Sequence, residues 1–253
     1  MMVSLFGRCI IIVSLFISFE LQAQCAHYPM DDSFITYSYF SISYSEPHEQ
    51  ADWVCYRLTE KMITGYAERK DNFRIDSKVT TGSSVTSDYK NSGYDRGHLA
   101  PAADFKFSQK AMDESFLMSN ISPQVPGFNR GIWKELEELI RSWATIYGKI
   151  DVVTGPIFKD NLGVIGNNQV VIPGYFYKAI VRQEKGKYEG IAFVLPNSES
   201  NESLKYYVLS IDNLEYAAGI NFYAKLNNSF ESKVDINSWS WGDDNKNSDL
   251  HYK

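Results

Sequence analysis

The sequence predicts an α+β domain. One stretch repeats its apolar residues at helical spacing, from residue 129 to a glycine at 148. Several others are β-rich runs cut by glycine and proline, at residues 152–154, 170–182 and 190–195. The whole chain is 253 residues with 44% hydrophobic side chains, enough to build one sizeable core. These observations do not fix the order of strands in a sheet.

Each element follows from local composition. Residues 1–23 read as a secretory signal peptide: Arg8 precedes the apolar run CIIIVSLFISF at 9–19, which is too short to span a bilayer, and Leu21, Gln22 and Ala23 offer a cleavage region. Export to the periplasm or outside is therefore expected, with no stable membrane span in the mature chain. Residues 24–50 are rich in Ser and Tyr and read as an N-terminal arm. Residues 52–58 (DWVCYRL) read as a strand, and 80–93 (TTGSSVTSDYKNSG) as a polar loop of turn formers. A short helix is expected at 108–115. In the long helix, Ile132, Trp133, Leu136, Leu139, Ile140, Trp143 and Ile146 share a stripe, with Lys134, Glu135, Glu138 and Arg141 elsewhere. Residues 204–210 (LKYYVLS) suit a further strand, and 211–219 (IDNLEYAAG) a short helix stopped by glycine. The main domain is expected over 51–236, with a polar tail over 237–253 that carries Trp239 and Trp241.

Two cysteines, Cys25 and Cys55, remain after signal removal and suit a disulfide in an oxidising compartment. The competing reading is lipidation at Cys25 behind LQAQ, where Gln24 fits poorly. Neither a CxxC nor an HExxH spacing is present, which argues against a zinc site of those types. Net charge is −6 and the pI about 5.3. An acidic average opposes nucleic-acid binding unless a basic cleft sits within the acidic shell.

Two constellations carry chemistry. His98 is one of four histidines, and the one well inside the expected domain. An imidazole titrates near pH ~6.5 and can accept a proton from water at neutral pH. In Asp95-Arg96-Gly97-His98 the carboxylate could orient the ring, the guanidinium could grip a phosphate and the glycine permits a tight backbone. A structural histidine is the plainer reading of that tetrapeptide alone. In Phe128-Asn129-Arg130-Gly131, Asn129 stands where an N-cap belongs, or where an amide oxygen could bind a hard cation. Glu137, a little over two turns on, sits at the edge of the apolar stripe. It suits a partly buried carboxylate near metal-bound water, or a surface pair with Arg141 worth ~0.3–0.5 kcal/mol.

The stretches YDRGHLAPAADF (94–105), SFLMSNISPQ (115–124), FNRGIWKELE (128–137), VVTGPIF (152–158) and VIPGYFYKAIV (171–181) occur in the order and spacing of the DNA/RNA non-specific endonuclease family. The chain resembles that family, which includes Serratia-type secreted nucleases and mitochondrial endonuclease G, over roughly 50–225. The resemblance implies a ββα-metal (His-Me finger) core within a mixed, mainly antiparallel sheet flanked by helices. It implies a metal-dependent endonuclease that hydrolyses DNA and RNA through backbone contacts, leaving 5′-phosphate and 3′-hydroxyl ends. By position, His98 matches the general base and Asn129 the protein ligand to Mg²⁺, with Mn²⁺ as a substitute. Arg96, Asn120, Glu137 and Arg141 match other catalytic positions: phosphate contact, active-site lining, the metal's water shell and transition-state support. Asp95 and Arg96 fall among the substrate-binding positions, with Arg69 in ERKDNFRID, where Arg74 is the alternative. Homodimer formation and an inhibitor protein are left open by the sequence. The rival functions are a nuclease or phosphodiesterase of narrower range, and a secreted binding module without catalysis.

Overall fold

The computed structural model describes residues 33–223 and 228–242. The signal peptide expected over 1–23 and the disulfide or lipid expected at Cys25 lie outside the described residues. Cys55 itself is fully buried and disulfide-bonded. Among the described residues no helix is long and apolar enough to cross a membrane.

A seven-stranded antiparallel sheet forms the frame. Its strands are β1 (Phe34–Thr36), β2 (Ser41–Ser45), β3 (Gln50–Thr59), β6 (Lys149–Ile157), β9 (Tyr175–Glu184), β10 (Lys187–Pro196) and β11 (Val208–Leu209), adjacent in that order. Side chains alternate across a strand, so each can feed two cores. In β3, Val54, Tyr56 and Leu58 join the larger core, while Trp53 and Cys55 join the smaller one behind the sheet. The larger core is covered by helix α4 (Ile132–Tyr147), whose Trp133, Leu136, Ile140 and Trp143 are buried. The smaller is covered by α5 (Ile211–Ala218) through Ile211 and Leu214. A short helix, α1 (Glu60–Ile63), follows β3.

Beside the sheet lies a second ladder of β4 (Asp95–His98) and β5 (Ile121–Gln124), which pairs His98 with Ile121, and β7 (Val164–Ile165) pairs with β8 (Val170–Val171) in a third. Helix α2 (Gln109–Ser115), capped by the Ser108 hydroxyl, lies between β4 and β5 in sequence. Helix α3 (Pro126–Arg130) follows β5 directly. Ser122 Oγ ties the ladder to the sheet by donating to Gln50 Oε1 at 2.5 Å. Asn197 at the end of β10 donates to the Pro123 carbonyl (3.1 Å) and accepts from Val125 N (2.9 Å). Two strands and the helices after them thus form a ββα unit fixed to a large sheet.

Three expectations are corrected. Residues 24–50 are no arm where they are described, since 34–36 and 41–45 are strands of the main sheet. Their serines are buried because each finds a partner: Ser43 with Ser33 Oγ at 2.9 Å, Ser45 with His48 Nδ1 at 2.7 Å. The long helix does not begin at Asn129. Gly131 interrupts it, and a Cβ there would lie 2.4 Å from the Gly127 carbonyl. Residues 237–242 are not a loose polar tail, because Trp239 is 2% exposed against Trp143.

Candidate active site

Strand β4 carries Arg96 and His98 on one face, two residues apart. His98 sits between Phe73 (ring centroids 5.4 Å apart) and Phe116 (4.8 Å, edge-on), and its Nε2 is buried without a hydrogen-bond partner. Burial, with Arg69 and Arg96 nearby, lowers its pKa from 6.5 to about 3, so the ring is neutral at physiological pH. Gly97 is required by contact rather than by φ: a Cβ there would meet the Gln124 side chain at 2.1 Å.

Asp95 makes no bond to the imidazole it was expected to orient. Its Oδ2 accepts from Asn129 Nδ2 at 2.9 Å, and the Arg130 guanidinium grips both oxygens, at 2.8 and 2.6 Å. These bonds outweigh the burial that opposes ionisation and lower the Asp95 pKa. A carboxylate only accepts, so it takes the Asn129 amide hydrogen and leaves the amide oxygen free. Asn129 occupies the last turn of α3, not an N-cap.

His98 and Asn129 line one cleft of about 410 Å³. Five cationic side chains share its wall, Arg69, Arg96, Arg130, Lys134 and Arg141, against a single carboxylate, Glu137. A basic cleft inside a chain of net charge −6 resolves the objection raised by composition. Arg69 lines it while its Nε bonds Asp71 at 2.8 Å; Arg74 instead donates to the Asp113 carbonyl at 2.6 Å. Asn120 does not line the cleft. Fully buried, it bonds the Ala100 N–H and carbonyl (3.0 and 2.9 Å) and the Ser115 carbonyl (2.8 Å), which fixes the chain leaving His98.

Beneath Glu137 lies a buried polar group that sequence reasoning missed. Lys178 in β9 donates to the Leu99 carbonyl at 3.1 Å and Thr154 Oγ1 at 3.3 Å, with its ammonium 4.5 Å from the Trp133 ring centroid. Asp104 accepts from Arg141 Nη1 (3.0 Å) and from the Tyr56 hydroxyl (2.9 Å). Arg141 therefore pairs with Asp104, not with Glu137 as the surface-pair reading had it. Burial raises the Glu137 pKa to about 7, against the pull of Lys178 and Arg141. It lowers that of Lys178 to about 8. The available signal was a lysine inside an otherwise apolar strand, YFYKAIV at 175–181. A cation buried at such a position needs polar partners, and Lys178 finds them in the Leu99 carbonyl beside His98 and in the Thr154 hydroxyl.

A basic cleft with a neutral imidazole, an amide oxygen and a carboxylate, built on a ββα unit, defines a phosphodiester hydrolase. The model of the DNA/RNA non-specific endonuclease family matches residues 18–229, and the chain belongs to that family. It is similar to human mitochondrial endonuclease G, 35% identical over 202 residues, 74% of this chain and 68% of the relative. It is similar to the mitochondrial nuclease of Saccharomyces cerevisiae, at 37% over 74% of this chain and 64% of the relative. A chain of the EndoG/EndoGI complex, solved to explain EndoG inhibition, superposes with a TM-score of 0.78 at 30% identity, over 84% of this chain and 95% of that one. The protein is thus a metal-dependent nuclease that hydrolyses DNA and RNA. The human and yeast relatives are mitochondrial, which overturns the expectation of an exported, periplasmic or secreted protein. That expectation rested on residues 1–23, outside the described structure, and a short apolar run reports apolarity rather than an address.

Proposed function

We propose that His98 is the general base of this endonuclease and that Asn129 holds its divalent ion, Mg²⁺ with Mn²⁺ as a substitute. The observation that carries the reading is that both side chains line one cleft walled by five cations. The donor set suits a hard ion: a neutral amide oxygen kept free by Asp95, and a carboxylate at Glu137 within the same cleft. Such an ion supplies positive charge to the phosphoryl and leaving oxygens.

In this reading Arg96 and Arg69 seat the scissile phosphate. The same two guanidiniums help hold His98 in its neutral form while the cleft is empty. A phosphate bound between them offsets their charge and makes the imidazole a better proton acceptor just when water must be deprotonated. Glu137 positions ordered water, Arg141 supports charge in the transition state, and Asp95 and Asn120 act as positioning residues. The products are 5′-phosphate and 3′-hydroxyl ends. Inhibition by a protein that covers the cationic cleft belongs to the same reading.

Purified protein and His98→Ala are to be assayed on plasmid DNA, single-stranded DNA and RNA, with Mg²⁺, with Mn²⁺ and with chelator. Wild type should cleave all three only with metal. The variant should lose about 10²–10⁴-fold in rate, the usual contribution of a general base. Near wild-type cleavage by His98→Ala would falsify the assignment. Cleavage restricted to one substrate would favour the narrower nuclease.

A further inference from the structure

We propose that a second cleft, on the far side of Arg96, is a nucleotide subsite, into which the strand presenting its phosphate to His98 continues. The proposal rests on the catalytic reading of the first cleft. The second cleft is the larger, about 660 Å³ against about 410 Å³, and the two share Arg96 and Asn129 as a common wall. A chain crossing that wall has its phosphate on one side and its next nucleotide on the other.

The lining suits that unit. Lys90 is an exposed cation, Ser87 an exposed hydroxyl, and Tyr94 a half-buried ring. Arg96 lies over the Phe73 ring, 4.2 Å from its centroid. A guanidinium placed over an aromatic ring still has N–H groups to offer a phosphate. Two carboxylates also line the cleft, but Asp95 is paired with Arg130 and Asp71 with Arg69.

The wall is preformed although it is a loop. Asp88 accepts from Val85 N (2.8 Å) inside the loop and from Asn167 N (3.0 Å) and Asn168 Nδ2 (2.8 Å) across from it. Tyr89 is buried, with its hydroxyl 3.4 Å from the Ile121 carbonyl of β5. The polar stretch 80–93 is thereby fixed to the strand that pairs with β4. Charge, hydroxyl and ring faces hold a backbone and any base alike, which fits cleavage without sequence preference.

The test is steady-state cleavage of a fluorescent 12-nucleotide DNA strand by wild type, Lys90→Ala and Tyr94→Leu across a salt series. Both positions lie on the surface loop or its edge, and leucine preserves the packing of the tyrosine. KM should rise about tenfold in each variant, the scale of one lost stacking or backbone contact, with kcat within about threefold. For Lys90→Ala the slope of log KM against log salt should flatten by ~0.7, the value for one phosphate contact on a single strand. Unchanged KM and slope would overturn the subsite, as would a fall in kcat alone. His98→Ala tested alongside separates the two ideas: wild-type cleavage by that variant sinks the catalytic reading, whereas the subsite stands or falls on KM.

Discussion

Asp95 follows the logic of a positioning group more than that of a substrate contact. Both its oxygens are engaged, by Asn129 and by Arg130, and the first of these bonds decides which way the Asn129 amide faces. An amide at position 95 could donate or accept, so it would no longer impose one orientation. Asp95→Asn is expected to raise the Mg²⁺ concentration for half-maximal cleavage by about 10–100-fold, as loss of a partner behind a metal ligand does, with kcat at saturating metal changed far less. A metal titration with an unshifted midpoint would remove Asp95 from the site. His98 yields a stability prediction of definite sign. Its folded pKa is depressed from 6.5 to about 3, so the folded state favours the neutral ring. The stability this contributes is present above pH 6.5 and is lost as pH falls toward 3. Between pH 6.5 and 4.5 the metal-free protein should lose about 2 kcal/mol through this residue, at roughly 1.4 kcal/mol per unit, and His98→Gln should lack that loss. Denaturant unfolding of both proteins at pH 7.5 and 4.5 reads the difference; parallel losses would contradict it.

At the scale of elements, what was legible in the sequence was what local periodicity records. Helix α4 was readable because Ile132, Trp133, Leu136, Ile140 and Trp143 all face one core, although Ile146, assigned to the same stripe, is 55% exposed. Its start was misread because one glycine separates two helices. The 3.6-residue pattern runs across Gly131 without a mark, while the break lies in that residue's non-helical backbone, φ −100° and ψ −116°, where a Cβ would meet the Gly127 carbonyl. The strands at 34–45 were illegible for a different reason. Serine looks like surface, and Ser41, Ser43 and Ser45 become core only once Thr36, Ser33 and His48 give their hydroxyls partners. The extra strand expected at 204–210 shrinks to β11 behind a 3₁₀ turn at Leu204–Tyr207. Arg96, His98 and Asn129, singled out in the sequence by residue type and by the family resemblance, line one cleft. The Asp95–Asn129 bond and the Lys178 contact with Leu99 span sequence distances no pattern covers, 34 and 79 residues.

On the scale of the whole molecule, the chain's acidity and the basicity of its cleft are one arrangement. A net charge of −6 makes the average field repulsive to polyanions, and the five cations gathered at one cleft give a phosphate backbone a local positive wall to bind. The arrangement depends on α4, which carries Lys134, Glu137 and Arg141 over the sheet, and α4 is held at its far end by the last described residues. Trp239 packs on Trp143 with ring centroids 4.6 Å apart, and Arg182 of β9 lies between the Tyr147 ring (3.9 Å) and the Trp239 ring (4.8 Å). The Trp143 indole N–H donates to the Ser240 carbonyl, closing the same seam. Trp239→Ala should therefore cost about 3–5 kcal/mol, the range for removing a buried tryptophan from a core. Trp239 is absent from the cleft wall, so kcat measured well below the lowered melting temperature should stay within about twofold. Urea unfolding that shows a loss under about 1 kcal/mol would mean the C-terminal segment is dispensable, and α4 would then have to be held by the sheet alone.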